Sequence, residues 1–100
     1  MGKTGNCIGL CRKAGRCVLG DFAAEKTVRA GKAKLVLLDE TASANTKDKY
    51  RYLCKGREVP LLLVKSPGEA AGQPGKMVLA VTDEGFAHMI AEAYQIEKQR

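Results

Sequence analysis

Basic side chains are concentrated in the segment VRAGKAKLVLLDETA, which covers residues 28–42. Arg29, Lys32 and Lys34 fall within six positions there, and an unbroken apolar run follows at once. Lysine and arginine at this density favour binding to phosphate groups, as in the backbone of a nucleic acid. A second basic cluster lies upstream in the segment RKAGR, residues 12–16. Phosphate binding is therefore the first chemistry to test against the rest of the sequence.

The charge of the chain is unevenly distributed. The formal net charge is +6 and the isoelectric point is about 9.3. Residues 1–57 hold 13 Lys and Arg against 5 Asp and Glu, whereas residues 58–100 hold 4 against 6. This asymmetry favours a surface, built from the first half, that faces a polyanion. Ordinary solubilising charge on a small domain is the alternative interpretation.

Other chemistries have weaker support in the residues. The four cysteines form no CxxC pair, the only histidine is His88, and no nucleophile lies near a base in a known motif. Asp39 and Glu40 end an apolar run, but adjacent carboxylates point to alternate sides, and capping or solvent roles suit them better. Neither a GxGxxG fingerprint nor a P-loop occurs. We therefore expect no metal, no cofactor and no enzymatic activity.

The length and hydropathy of the chain set its class. One hundred residues, of which 45% are hydrophobic, suit a single domain over residues 1–100. No apolar run approaches the roughly 20 residues that span a bilayer, and the first residues lack the apolar core of a signal peptide. These features predict a cytoplasmic protein that does not contact a membrane. We take it to be a monomer, although the sequence leaves the oligomeric state open.

Hydrophobic periodicity and turn residues predict alternating helices and strands. The predicted elements are a helix capped by Asn6 and ended by Gly15, a strand at 16–19, a helix at 21–30, a strand at 34–39, a helix from Ser43 to about Gly56, a strand at 59–64, a loop at 65–76 with at most one helical turn, a strand at 77–81, and a helix capped by Thr82 or Asp83. This α/β alternation predicts a largely parallel sheet covered by helices on both faces.

Gly20 occupies the turn between the first strand and the second helix. A glycine there lets the backbone approach a ligand closely, and the helix start that follows offers free N–H groups to an anion. Lys26 lies within two turns of that point. Arg29, Lys32 and Lys34 lie at the other end of the helix, so they need not contact the same ligand.

The ordered segments AGRCVLGDFAAEKTVRAGKAKLVLLDETASANTK, VP and AVTDEGFA resemble the ribosomal-protein superfamily of the L7Ae type, most closely its small bacterial YlxQ-like branch. The resemblance covers about residues 7 to 92. It implies a three-layer α/β/α sandwich around a mixed four-stranded sheet. It also implies that the protein binds structured, kink-turn-like RNA and associates with the ribosome.

The resemblance also implies how RNA would be held. The helix after the family's glycine, here Gly20, enters the groove of the kinked RNA, and a lysine six residues later, here Lys26, contacts the backbone. A polar pair that reads tandem G·A base edges is replaced here by Phe22 and Ala23, which cannot form those hydrogen bonds. In the family, the loop before the last strand packs apolar side chains against a flipped base. Here the corresponding residues 73–76 end in Lys76, which would contact a phosphate instead. The predicted RNA-binding residues are Gly20, Asp21, Phe22, Ala23, Lys26, Arg29, Lys32, Lys34 and Lys76.

Two alternatives remain at this point. Phe22 stacks on an unpaired base, as aromatic side chains do in many RNA sites, or it packs in the core against the sheet. The chain binds RNA, or it is a protein-interaction module of the same fold that has lost specific RNA recognition. Phe22 and Ala23 are the residues that favour the second of these functions.

Overall fold

The structure is a computed structural model that describes residues 2–99, in which five helices and four strands alternate. In chain order these elements are α1 (Lys3–Lys13), β1 (Cys17–Leu19), α2 (Asp21–Arg29), β2 (Leu35–Asp39), α3 (Ala44–Arg57), β3 (Leu61–Val64), α4 (Pro67–Ala70), β4 (Val78–Val81) and α5 (Glu84–Lys98). The predicted order of elements is confirmed, and the helical turn expected within residues 65–76 is α4.

The four strands form one mixed sheet in the order β1-β4-β2-β3. β2 and β3 are parallel, whereas β4 lies between β1 and β2 and is antiparallel to both. The mixed sheet that the resemblance implied is confirmed. The largely parallel sheet that the alternation of helices and strands predicted is wrong.

The connection from β3 to β4 explains the reversal. Neighbouring parallel strands need a crossover that carries the chain back along the sheet, which is usually a helix. α4 has only four residues, or about 6 Å of helix, whereas β3 extends over roughly 13 Å. β4 therefore starts near the edge of the sheet at which β3 ends, and it runs in the opposite direction.

Helices cover both faces of the sheet, because β2 and β4 are buried on both sides. On one face, α1, α4 and α5 pack around a core that includes Ile8, Leu37, Leu79 and Ile90. On the other face, α2 and α3 pack around a core that includes Val28, Val36, Tyr50 and Ala80. The three-layer α/β/α sandwich is therefore confirmed.

Two of the predicted helix caps are confirmed. The Ser43 hydroxyl accepts a backbone N–H of the first turn of α3 at 3.2 Å, and the Asp83 carboxylate accepts one in α5 at 2.9 Å. The predicted cap at Asn6 is wrong, because α1 begins at Lys3 and the backbone N–H of Asn6 already donates to the Gly2 carbonyl. Glycine is an acceptable cap residue, but it carries no side-chain signal that marks a helix start.

The sheet has two rims at the ends of its strands, which are named here after one residue of each. At the Gly20 rim, β1 ends just before Gly20, β2 ends at Asp39, and β4 begins after Met77. The Met77 carbonyl accepts the Asp39 N–H at 2.7 Å. At the Arg16 rim, β1 and β2 begin after Arg16 and Lys34, and β4 ends. α2 runs from the first rim to the second.

Candidate nucleic-acid interface

Gly20 forms the turn from β1 into α2, and its backbone geometry suits only glycine. Its φ is +97° and its ψ is 157°, a region that side chains with a Cβ atom essentially never occupy. The Gly20 N–H donates to the Val78 carbonyl at 2.9 Å, which fixes the turn against the start of β4. No side chain caps α2, so the N–H groups of its first turn are directed out of the sheet at this rim.

Lys76 reaches the same turn from the loop before β4. A Cβ atom placed on Gly20 would lie 3.6 Å from Lys76 Nζ and 3.7 Å from Lys76 Cδ. The register of β1 with β4, in which Leu19 faces Leu79, brings the two segments together. The structure thus places an ammonium group beside the uncapped start of α2, and both favour an anion.

Two apolar side chains are exposed at the Gly20 rim. Phe22, in the first turn of α2, is 83% exposed, so the alternative that it packs in the core is wrong. Met77 is 36% exposed and directly precedes β4. The sequence analysis missed Met77 because it assigned this residue to the last strand, which begins one residue later. An apolar residue at a loop–strand junction is the signal that could have identified it.

Asp21 connects the start of α2 to α3. Its carboxylate accepts Lys49 Nζ at 2.8 and 3.0 Å and the Tyr50 hydroxyl at 2.5 Å. The bond from Lys49, followed by that from Tyr50, lowers the pKa of Asp21. Burial raises the pKa of Tyr50, which therefore stays protonated and donates. The predicted RNA-binding residue Asp21 thus positions the start of α2.

Ala23 is the fourth predicted residue at this turn. It is half-buried, and its carbonyl accepts the Thr27 hydroxyl at 2.8 Å within α2. Neither Ala23 nor the neighbouring Phe22 offers a side-chain group that can hydrogen-bond to a base edge. Any specificity at this turn must come from shape, stacking and backbone contacts.

Arg29 is partly neutralised within α2. Its Nε and Nη2 each lie 2.9 Å from the Glu25 carboxylate. Lys49 Nζ also lies 3.0 Å from Glu25, and the bonds from Lys49 and then Arg29 lower the pKa of that carboxyl group. Arg29 would have to leave or share this pair to bind a phosphate, so it is the weakest of the predicted phosphate contacts.

The remaining predicted lysines divide between the two rims. Lys26, Lys32 and Lys34 are all exposed, and none of them forms an ion pair with another residue in the range 2–99. Lys26 lies in the second turn of α2. The Lys34 N–H donates to the Val81 carbonyl at 2.7 Å, which places Lys34 at the Arg16 rim. The predicted residues therefore form two groups, and a ligand at the Gly20 turn does not need Lys32 or Lys34.

Metal and acid–base chemistry find little support in the geometry. Among residues 2–99, no group of three or more His, Cys, Asp or Glu side chains converges. Asp39 accepts the Thr41 N–H and hydroxyl at 2.9 and 2.7 Å, which is a turn-capping role. His88 is exposed and lies 3.5 Å from Glu92 of the same helix.

The cysteines are free thiols, and two of them interact. The Cys11 thiol donates a hydrogen bond to Cys17 Sγ, which raises the pKa of Cys11 and lowers that of Cys17. Cys11 is buried and Cys17 is half-buried at the start of β1. The pair belongs to the packing of α1 on the sheet.

A cleft lies away from the Gly20 turn, on the face of the sheet that α1, α4 and α5 cover. It has a volume of about 770 Å³ and is lined by residues that include Ile8, Val64 and Tyr94. None of the helices within residues 2–99 has the length and apolar character needed to cross a bilayer.

Residues 4–91 match the model of the ribosomal protein L7Ae/L30e/S12e/Gadd45 family. The chain belongs to this family. It is 40% identical to the RNA-binding protein YlxQ of Bacillus subtilis (strain 168) over 86 residues, which are 83% of this chain and 86% of the relative. It is 35% identical to the RNA-binding protein YlxQ of Enterococcus faecium over 92 residues, or 90% and 89% of the two chains.

Two solved structures have a similar fold. A Bacillus halodurans protein of unknown function superposes with a TM-score of 0.89 at 28% identity, over 95% of this chain and 99% of that one. A Giardia lamblia 15.5 kDa RNA-binding protein superposes with a TM-score of 0.72 at 20% identity, over 94% and 87% of the two chains, which shows the fold alone. The family resemblance noted in the sequence is therefore confirmed. The expectation that the chain is not an enzyme agrees with its membership of this family.

Proposed function

We propose that this protein is a single RNA-binding domain over residues 1–100 that recognises structured, kink-turn-like RNA through the Gly20 rim. The observation that carries the proposal is the convergence of the Gly20 turn, Lys76 and the exposed side chains of Phe22 and Met77 at the uncapped start of α2. Two relatives that share the family and at least 35% of the aligned residues are named RNA-binding proteins.

The two kinds of group at the rim suit two parts of an RNA. A backbone phosphate at the start of α2 would accept hydrogen bonds from first-turn N–H groups and from Lys76, with Lys26 contacting the backbone one turn further along. Phe22 would stack on an unpaired base, and Met77 would supply apolar contact beside it. A kinked RNA exposes both a phosphate backbone and unpaired bases at one place, whereas a regular duplex does not.

The proposed specificity rests on shape and stacking. Because Phe22 and Ala23 cannot bond to the edges of G·A pairs, these pairs would be selected through the kink that they stabilise. The protein should therefore bind an intact kink-turn more tightly than a duplex without the kink, and this preference should depend on Phe22. We further propose that the protein acts in the cytoplasm as a monomer associated with the ribosome.

The test is a titration of the protein with a kink-turn duplex and with the same duplex stripped of its G·A pairs, at two salt concentrations. Preference for the intact motif supports the proposal. Equal binding of both duplexes, falling steeply with salt, would show generic affinity for RNA and refute the kink-turn specificity. The Lys26→Ala variant should lower the salt slope by about one unit. Its matched control is Lys98→Ala, at the exposed end of α5 on the opposite face of the sheet from α2.

A protein-interaction module is the second candidate, because an 83% exposed phenylalanine also suits a protein partner. The same titration distinguishes the two functions. If neither duplex binds at low salt, RNA binding is refuted and the protein-interaction function is favoured. Sedimentation of the protein with ribosomes through a sucrose gradient, with and without RNase treatment, tests the association with the ribosome.

A further inference from the structure

A second group of basic residues lies at the Arg16 rim, away from the Gly20 turn. Its members are exposed and come from two separate segments, residues 12–16 and 32–34: Arg12, Lys13, Arg16, Lys32 and Lys34. Arg12 and Lys13 end α1, Lys32 follows α2, and the other two precede strands. None of the five forms an ion pair within residues 2–99.

Backbone hydrogen bonds fix the positions of this group. The Arg16 carbonyl accepts the Thr82 N–H at 2.9 Å, and the Lys34 N–H donates to the Val81 carbonyl at 2.7 Å. Arg16 and Lys34 therefore flank the end of β4 from its two neighbouring strands, about 10 Å apart at two strand spacings. A duplex presents several phosphates over that distance.

The Arg16 rim carries more positive charge than is needed to offset the dipoles of the helices that end there. Cations in the last turn of a helix offset its dipole, which accounts for Arg12 and Lys13. Arg16 and Lys34 lie at strand starts, where the dipole gives no such reason. Asp83, a carboxylate at this rim, accepts a backbone N–H as the cap of α5.

We propose that the Arg16 rim is a second, sequence-independent surface for RNA phosphates, so that one protein molecule bridges two RNA segments. This inference rests on the proposed function, because it takes RNA as the partner. The four residue-to-residue steps from Arg16 to Gly20 separate the two rims by roughly 13 Å of strand. A kinked RNA on the Gly20 rim thus leaves the Arg16 rim free to hold the backbone of a second helix.

The test uses two RNAs, a donor-labelled kink-turn and an acceptor-labelled plain duplex, and measures energy transfer between them as protein is added. As native protein is added, the energy transfer should first rise. It should then fall, because excess protein binds the two RNAs through separate protein molecules. The Arg16→Gln/Lys34→Gln variant should lose this transfer while keeping its affinity for the kink-turn alone. Its salt slope for the plain duplex should fall by about two units, at roughly 0.9 per phosphate contact.

The matched control removes the same charge elsewhere, with Lys3→Gln/Lys98→Gln, and it should leave both RNAs bridged. Circular dichroism confirms that each variant is folded. If the Arg16→Gln/Lys34→Gln variant bridges as well as the control does, the Arg16 rim is only a solvated surface and the inference fails. If the kink-turn binds but the plain duplex does not join it, this inference fails alone. If neither RNA binds, the proposed function fails with it.

Discussion

Replacing Gly20 by alanine tests the central turn of the candidate interface. The φ of +97° and ψ of 157° lie in a region that is open essentially to glycine alone, and holding another residue there costs about 1–3 kcal/mol. A steric clash adds little, because the new Cβ would meet Lys76 at 3.6 and 3.7 Å, which is ordinary contact. The whole cost should therefore be backbone strain.

We expect Gly20→Ala to lower the free energy of unfolding by about 1–3 kcal/mol, measured by urea denaturation followed by circular dichroism. For a domain of this size, each kcal/mol lowers the melting temperature by roughly 4–8 °C. The domain should still fold, because small domains have about 5–15 kcal/mol of stability. The kink-turn affinity should fall as well, since the first turn of α2 is displaced.

Gly56→Ala is the matched control. Gly56 lies within α3, and nothing within 4 Å would meet its new Cβ atom. Alanine is better than glycine in a helix by about 0.5–1 kcal/mol, so this variant should be more stable than the native protein. If Gly20→Ala also unfolds at or above the native urea concentration, the turn does not need glycine, and the reasoning from its backbone angles is refuted.

Three further predictions concern single side chains. Phe22→Ala should leave the free energy of unfolding within about 0.5 kcal/mol of the native value, because the ring is exposed. It should weaken kink-turn binding by about 1–3 kcal/mol if the ring stacks on a base. A large loss of stability with unchanged affinity would contradict this prediction. Lys49→Met should raise the pKa of Asp21 toward its ordinary value, as NMR titration would show. The variant should be less stable than the native protein at neutral pH, and this difference should shrink as the pH falls through the lowered pKa of Asp21 in the folded state, because a protonated Asp21 gains nothing from Lys49. An unchanged pKa of Asp21 would argue against the pair. Cys17 should react with iodoacetamide faster than Cys54, as peptide mass mapping would show. The hydrogen bond from Cys11 lowers the pKa of Cys17, whereas burial raises the pKa of Cys54 to about 11. The opposite order of reaction would contradict an effect of this hydrogen bond on Cys17.

The order of helices and strands could be predicted because hydrophobic periodicity and turn residues are local signals. The direction of β4 could not be read from that alternation. The direction of β4 depends on whether the β3–β4 connection is long enough to carry the chain back along the sheet. The composition of residues 65–76 indicated a loop, but it did not indicate at which edge of the sheet the next strand begins. The family resemblance supplied the mixed sheet.

The candidate site was predicted as a set of residues but not as an arrangement. The sequence placed Gly20 in a turn and Lys76 in a distant loop, and only the pairing of β1 with β4 brings them together. Asp21 was expected to contact RNA, yet its bonds to α3 depend on a tertiary contact 28 residues away in the chain. Contacts of this range leave no periodic signal in a single sequence.

Lys49 links the packing of α2 to the electrostatics of the proposed interface. Asp21 and Glu25 lie in the helix whose start would bind a phosphate, and their charges would repel it. Lys49 Nζ lies 2.8 Å from Asp21 and 3.0 Å from Glu25, and Arg29 Nη2 lies 2.9 Å from Glu25, so two cations balance the two carboxylates. The positive end of α2 and the ammonium group of Lys76 then act on the ligand with little opposition. Lys49, which need not touch RNA, thereby offsets negative charge beside the turn that would bind it.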